Sequence, residues 1–261
     1  MFGLSFHPYG LLIGIALVAG WECVQRVCLR YGYSFKQMQV MYVLMIMAGF
    51  IFARLWHGIT DWSLYVQNPV ALLYVWNGGL SIIGGFIGGG LGAITILYVQ
   101  KNRKSFGKNQ ITLMVLTDLL VHALPVSQAI GRVGNFVNQE LYGLPTNLPW
   151  GIYIDPEHRL QSVITQSYFH PLFLYEIILN LAIAVLLWRK RWSIGVGQAT
   201  AFYLVFYGIG RLLLDFLRID RGDLVWFSIS LNQYVLLMLA LGGLMLLWSR
   251  RYHNTSAKTG K

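Results

Sequence analysis

Seven stretches of mostly apolar residues follow one another along this chain, near 9–27, 38–56, 80–99, 111–130, 172–188, 197–217 and 229–248. Each is about the 20 residues that an α-helix needs to cross the hydrocarbon core of a bilayer. In lipid the backbone must satisfy its own hydrogen bonds, so apolar runs of this length are helices. The pattern predicts an all-α polytopic membrane protein with seven transmembrane helices. Charge content agrees: Asp, Glu, Lys and Arg make up 11% of 261 residues, against about 25% in a soluble domain. A soluble enzyme, a disordered protein and a collagen-like fibre are thereby excluded. The N-terminus lacks the basic region of a removable signal peptide. Residues 1–261 are therefore expected to form a single integral membrane domain, with 131–171 as an outer loop or head segment.

The 20 Lys and Arg give the spans a direction. Arg26, Arg30 and Lys36 fall in the first connection, and Lys101, Arg103, Lys104 and Lys108 in the third. Arg189, Lys190 and Arg191 fall in the fifth, and Arg250, Arg251, Lys258 and Lys261 in the tail. These 14 share one side, while Arg132, Arg159, Arg218 and Arg221 make 4 on the other. Cytoplasmic loops carry the basic excess, which puts the N-terminus outside and the C-terminus in the cytoplasm. The net charge of +10 thus reports orientation, and no nucleic-acid partner is implied.

Charged residues inside membrane helices are costly and mark function by default. Arg54 lies near the outer end of the second stretch. Asp118 and His122 stand four apart in the fourth, on one face, and are expected to make a structural polar contact. Glu176 opens the fifth. Arg211 and Asp215, again four apart, lie near the outer end of the sixth, where pairing is the plain explanation. Cys23 and Cys28 form neither a redox pair nor a metal pattern, and no metal site is expected.

The densest local signal is Gly131-Arg132-Val133-Gly134-Asn135-Phe136-Val137-Asn138-Gln139-Glu140, followed by Gly143, where the fourth stretch is expected to end. Two readings fit it. One is a glycine-rich helix exit whose Arg reaches the headgroups. The other is phosphate recognition, with Arg supplying a planar fork and Asn and Glu adding directed hydrogen bonds. Gly84, Gly88 and Gly92 repeat every four residues, a spacing that lets helices approach closely. No strand precedes them and no Lys-Ser/Thr follows, so they are not a nucleotide loop. Most Trp and Tyr are expected at the membrane interfaces.

Several blocks together resemble one family. Gly131–Gly143 resembles the signature of prolipoprotein diacylglyceryl transferases. The other blocks are His7-Pro8-Tyr9-Gly10, Ala53-Arg54, Trp76-Asn77-Gly78-Gly79 with Gly84-Gly85, Asp118, His170-Pro171 with Tyr175-Glu176, and Tyr207-Gly208 with Arg211, Asp215 and Arg218. The resemblance implies transfer of the diacylglyceryl group from phosphatidylglycerol to the lipobox cysteine thiol of a prolipoprotein, just after its signal peptide's apolar stretch. A thioether forms and glycerol phosphate leaves. It implies no cofactor, membrane lipids as surroundings, and residence in the bacterial cytoplasmic (inner) membrane.

By the same resemblance Arg132 and Arg211 match the family's two essential arginines. With Glu140 and His170 they are the expected catalytic residues. Tyr9, Asn135, Asn138, Gly143, Tyr207, Asp215, Arg54 and Asn77 are expected to bind substrate. The chain departs from the pattern twice. Ile83 stands where the family commonly has His, and Asp215 where it usually has Glu. Isoleucine cannot move a proton, which leaves open a catalytically degenerate member that binds lipid or lipoprotein. A small-molecule transporter is a further alternative, although no internal repeat supports it.

Overall fold

A computed structural model describes residues 8–75, 78–102, 110–219, 225–226 and 229–259. They contain seven α-helices: α1 (Pro8–Cys28), α2 (Phe35–Thr60), α3 (Ile82–Asn102), α4 (Leu113–Val137), α5 (Leu172–Lys190), α6 (Gln198–Asp215) and α7 (Leu231–Thr259). Six are long and apolar enough to cross a membrane, which makes this a multi-pass membrane protein. The exception, α6, has 18 residues and carries Arg211 and Asp215 in its last turns. The chain divides into two compact units, one of residues 28–113 and one of 1–27 with 114–261.

In the smaller unit α2 packs along α3. A Cβ on Gly84 or Gly88 would collide with the backbone carbonyl of Phe52 or Ala48 on α2, so the four-residue glycine spacing is a helix-contact stripe. Beyond α2, Arg54 is buried. Its Nε donates to the Leu72 carbonyl, Nη1 to the Gly78 and Gly79 carbonyls, and Nη2 to those of Ala71 and Tyr74. A guanidinium has five N–H donors, and all are spent on this segment. Arg54 therefore pins the connection between α2 and α3. Asn77 lies outside the described residues. Ile83, in the first turn of α3, is exposed.

In the larger unit Val121, Ile183, Leu187, Ile194, Ala199 and Tyr203 join α4, α5 and α6 in one apolar core. The Ser127 hydroxyl ties α4 to the Ala16 carbonyl of α1. Asp118, fully buried, accepts from the backbone N–H of Gly197 (2.6 Å) and Thr200 (2.8 Å) and from the Thr200 hydroxyl (2.7 Å). Its carboxylate thus caps the N-terminus of α6 from another helix, where the helix dipole favours negative charge. His122 instead places Nδ1 2.6 Å from the Asp118 backbone oxygen. The contact expected between the two is present, but the carboxylate itself is committed to α6.

The head between α4 and α5 is built on β1 (Ile152–Tyr153) paired antiparallel with β2 (Tyr168–Phe169). Tyr142, Ile154 and Phe169 form its small core. The segment after the signature runs beside β2: Gly143 donates to the His170 carbonyl, His170 to Leu144, and Leu144 to Leu217 at the exit of α6. A Cβ on Gly143 would stand 2.9 Å from both His170 Cβ and the Leu217 oxygen. Glycine is what lets this strand, the start of α5 and the end of α6 meet.

Candidate functional site

The signature was expected to begin where a helix ends, yet α4 continues through it to Val137. Arg132 and Asn135 therefore stand three apart on a helical face, and Arg132 Nη1 donates to Asn135 Oδ1 at 2.9 Å. The helix closes at Gln139, which takes a left-handed φ of 53°. Glu140 N–H returns to the Asn135 carbonyl and Gln139 N–H to that of Phe136, the paired bonds of a Schellman ending. Glutamine is an unusual occupant of this conformation. Its side chain is held at both ends: Nε2 donates to Asp155 Oδ2 (2.6 Å) and Oε1 accepts from the Asp155 N–H (2.7 Å). The head thereby fixes the turn that presents Glu140. Glu140 Oε1 accepts from Asn135 Nδ2 (2.7 Å) and more weakly from Asn138 Nδ2 (3.4 Å).

Two cations converge on one acid. Glu176, buried in the second turn of α5, ion-pairs through Oε2 with Arg132 Nε and through Oε1 with Arg211 Nε at 3.3 Å. Asp215 lies 3.7 Å from Arg211 and 3.9 Å from Arg218. It accepts from Asn232 Nδ2 at 2.8 Å and lies 3.5 Å from the Ser230 hydroxyl. Ser230 and Gln233 cap the start of α7 reciprocally, Ser230 N–H donating to Gln233 Oε1 and Gln233 N–H to the Ser230 hydroxyl. That is the capping-box geometry. Asp215 thus anchors the end of α6 to the start of α7.

Arg211 is only 7% exposed, and its Nη1 has no hydrogen-bond partner among the described residues. A buried N–H left without an acceptor costs about 1–3 kcal/mol. This same Nη1 faces Asp215 Oδ1 at 3.7 Å, an ion pair beyond hydrogen-bond reach, on a cation already sharing Glu176 with Arg132. Tyr207, one turn before Arg211, has Arg211, Glu176 and Arg132 as its charged neighbours. It stacks on Tyr203 at 5.2 Å, whose hydroxyl donates to Gln128 at 3.1 Å.

The larger unit therefore brings Arg132, Asn135, Asn138, Glu140, Tyr207, Arg211 and Asp215 into linked contacts, with Gly143 and His170 framing them. Tyr9 lies in the first turn of α1. The profile of the family described as prolipoprotein diacylglyceryl transferase matches residues 1–249. The chain belongs to that family. Among the relatives of this transferase family, the phosphatidylglycerol--prolipoprotein diacylglyceryl transferase of Synechococcus elongatus is 35% identical over 253 residues, 94% of this chain and 84% of the relative. The namesakes from Halalkalibacterium halodurans, 35% identical over 254 residues (95% and 83%), and Cutibacterium acnes, 36% over 258 (95% and 83%), are similar.

Within this transferase-family chain, Glu176 and Gln128 were missing from the sequence-derived site. Glu176 carried a readable signal, an acid at the head of an apolar helix. Gln128 carried none, because a lone Gln in a helix says nothing until the Tyr203 hydroxyl is seen to reach it.

Proposed function

We propose that this protein transfers the diacylglyceryl group of phosphatidylglycerol to the lipobox cysteine thiol of prolipoproteins. The observation that carries the reading is the Arg132–Glu176–Arg211 bridge with its unfilled buried donor. Arg132 and Arg211 grip the phosphodiester of the donor lipid. The thiol gives up its proton, which ends on the released phosphate monoester, and sulfur forms a bond to the glyceryl carbon that bears the phosphate oxygen. The carbon–oxygen bond breaks, its electron pair leaving with glycerol phosphate. The negative charge that grows on the leaving group is met by cations already fixed in place, which is where preorganised charge contributes most.

Asn135, Asn138 and Tyr207 orient the headgroup, and Asp215 and Gly143 hold the frame around it. Tyr9 and Asn77 are proposed contacts on the resemblance alone. Arg54, with all five donors engaged, is assigned to holding its own loop rather than to substrate. Glu140 and His170 complete the reactive set.

The fold reading that accompanies this proposal has α6 as the sixth of seven spans. At about 1.5 Å per residue its 18 residues reach about 27 Å, close to the hydrocarbon thickness of about 30 Å. The N-terminus and residues 131–171 lie outside, the C-terminus lies in the cytoplasm, and the membrane is the bacterial cytoplasmic (inner) one.

The test is direct. Purified protein is mixed with phosphatidylglycerol and a peptide carrying a signal sequence and lipobox cysteine, and peptide mass and released glycerol phosphate are followed. Diacylglyceryl addition in the wild type, lost in Arg132→Ala and Arg211→Ala variants that still insert, is the expected result. Binding of phosphatidylglycerol without product would overturn it in favour of a non-catalytic lipid-binding protein.

A further inference from the structure

A second polar chain runs through the head and stops at His170. The Trp150 indole Nε1–H donates to the Tyr175 hydroxyl oxygen at 2.8 Å. That oxygen lies 3.1 Å from His170 Nδ1. An indole N–H can only donate, and a phenol has a single proton to give. Two arrangements are therefore conceivable. If Nδ1 carried the imidazole proton, the Tyr175 oxygen would accept twice, from Trp150 and from His170, and its own proton would turn to solvent at this exposed contact. If Nδ1 is bare, Trp150 donates to Tyr175, Tyr175 donates to Nδ1, and every proton is placed. Donation into the phenol oxygen also strengthens its onward donation.

The accounting has a chemical consequence, and it rests on the transfer reaction proposed above. We infer that His170 acts as a hydrogen-bond donor through Nε2–H to an oxygen of the donor lipid's headgroup, a tautomer imposed by Tyr175 and Trp150. A neutral ring with Nδ1 filled and Nε2 protonated offers no free lone pair, so it is not the base that takes the thiol proton. The His170 carbonyl receives Gly143 N–H, and its N–H goes to Leu144. Tyr175, which fixes the ring, immediately precedes Glu176, which bridges the arginines. Ring tautomer and arginine spacing are thus set from one turn of α5. Trp150 and Tyr175 are positioning residues here, acting through His170.

Two measurements test this. Glutamine places an amide N–H near the position of imidazole Nε2 but cannot exchange a proton. His170→Gln should hold transfer within about tenfold of wild type, and His170→Leu should fall at least about tenfold further, the worth of a hydrogen bond to a charged acceptor. Equal loss in both variants would overturn the donor role. Independently of any turnover, protein labelled with 15N-histidine reports the tautomer through long-range 1H–15N correlations, the His170 signals being identified by their absence in His170→Gln. Wild type should show Nδ1 unprotonated and Nε2 protonated. Tyr175→Phe, and more mildly Trp150→Phe, should move population to the Nδ1–H form. A protonated Nδ1 in wild type, or an unchanged tautomer in Tyr175→Phe, would overturn the relay. Because the spectra need no substrate, failure of the relay is distinguishable from failure of the proposed reaction.

Discussion

At the residue scale the decisive group is Glu176. Two guanidinium groups held in a largely dry site repel each other, and the shared carboxylate is what allows them to stay near one another. Its two ion pairs hold both guanidinium groups through charge. Glu176→Gln keeps the shape and removes the charge. Transfer should fall by about ten- to several-hundred-fold, mostly in kcat, while the protein still inserts and purifies. An unchanged rate would mean that the arginines are spaced by something else. Arg211→Lys should not rescue Arg211→Ala, because a point charge cannot face Glu176 with one edge and offer Nη1 to a phosphate with another. Steady-state kinetics on the three variants read both effects. Arg132, Arg211, Asn135 and Glu140 stood out in the sequence because charge and amide side chains at the edge of apolar runs do, and the family resemblance proposed them as site residues. The part played by Glu176 did not, since it exists only where α4, α5 and α6 meet.

At the scale of elements, helix existence was written plainly in hydrophobic run length, and helix ends were not. The glycines of the signature suggested an exit at Gly131, but α4 runs on to Val137. Two glycines lower helix propensity by about 1 kcal/mol each, too little to break a helix anchored by tertiary contacts. Its true ending depends on Gln139 in a left-handed conformation, a role sequence assigns to Gly or Asn. What permits glutamine there is the clamp from Asp155, sixteen residues away. The start of α6 is set from a distance too. Gly197 provides no side-chain cap, and Asp118 supplies it from α4. Asp118→Ala should therefore destabilise the protein by at least about 2 kcal/mol, since two helix N–H groups and a hydroxyl lose their acceptor. Asp118→Asn, which retains one acceptor oxygen, should lose less. Thermal unfolding midpoints in detergent, compared with those of Glu176→Gln, separate this stability effect from the catalytic one. A wild-type midpoint for Asp118→Ala would show that α6 needs no external cap.

At the scale of the whole molecule α6 decides which way the helices around it cross. The basic residues divide 14 to 4 only if 197–217 crosses, because removing one crossing places the tail and the fifth connection on opposite sides. Yet α6, at 18 residues long enough to be a span, is the one helix of the seven among the described residues that is not apolar enough along its length. Its polar residues explain the shortfall without denying the crossing: Arg211 and Asp215 sit at one end, paired with Glu176 and Asn232 rather than facing lipid, the arrangement expected of functional charges within a membrane. Reaction with an impermeant maleimide settles the point. Cys23 and Cys28 are first replaced by Ser, and single cysteines are placed by Glu157→Cys in the head, Lys190→Cys at the end of α5 and Asp223→Cys between α6 and α7. Glu157→Cys and Asp223→Cys should label from outside intact cells, and Lys190→Cys only after permeabilisation. If Asp223→Cys behaved like Lys190→Cys, α6 would turn back within the membrane and the tail would lie outside. The cations would then divide 12 to 6 instead of 14 to 4, with the four of the tail outside, a weaker fit to the rule that cytoplasmic loops carry the basic excess. The strength of that bias is the reason to expect labelling of Asp223→Cys from outside.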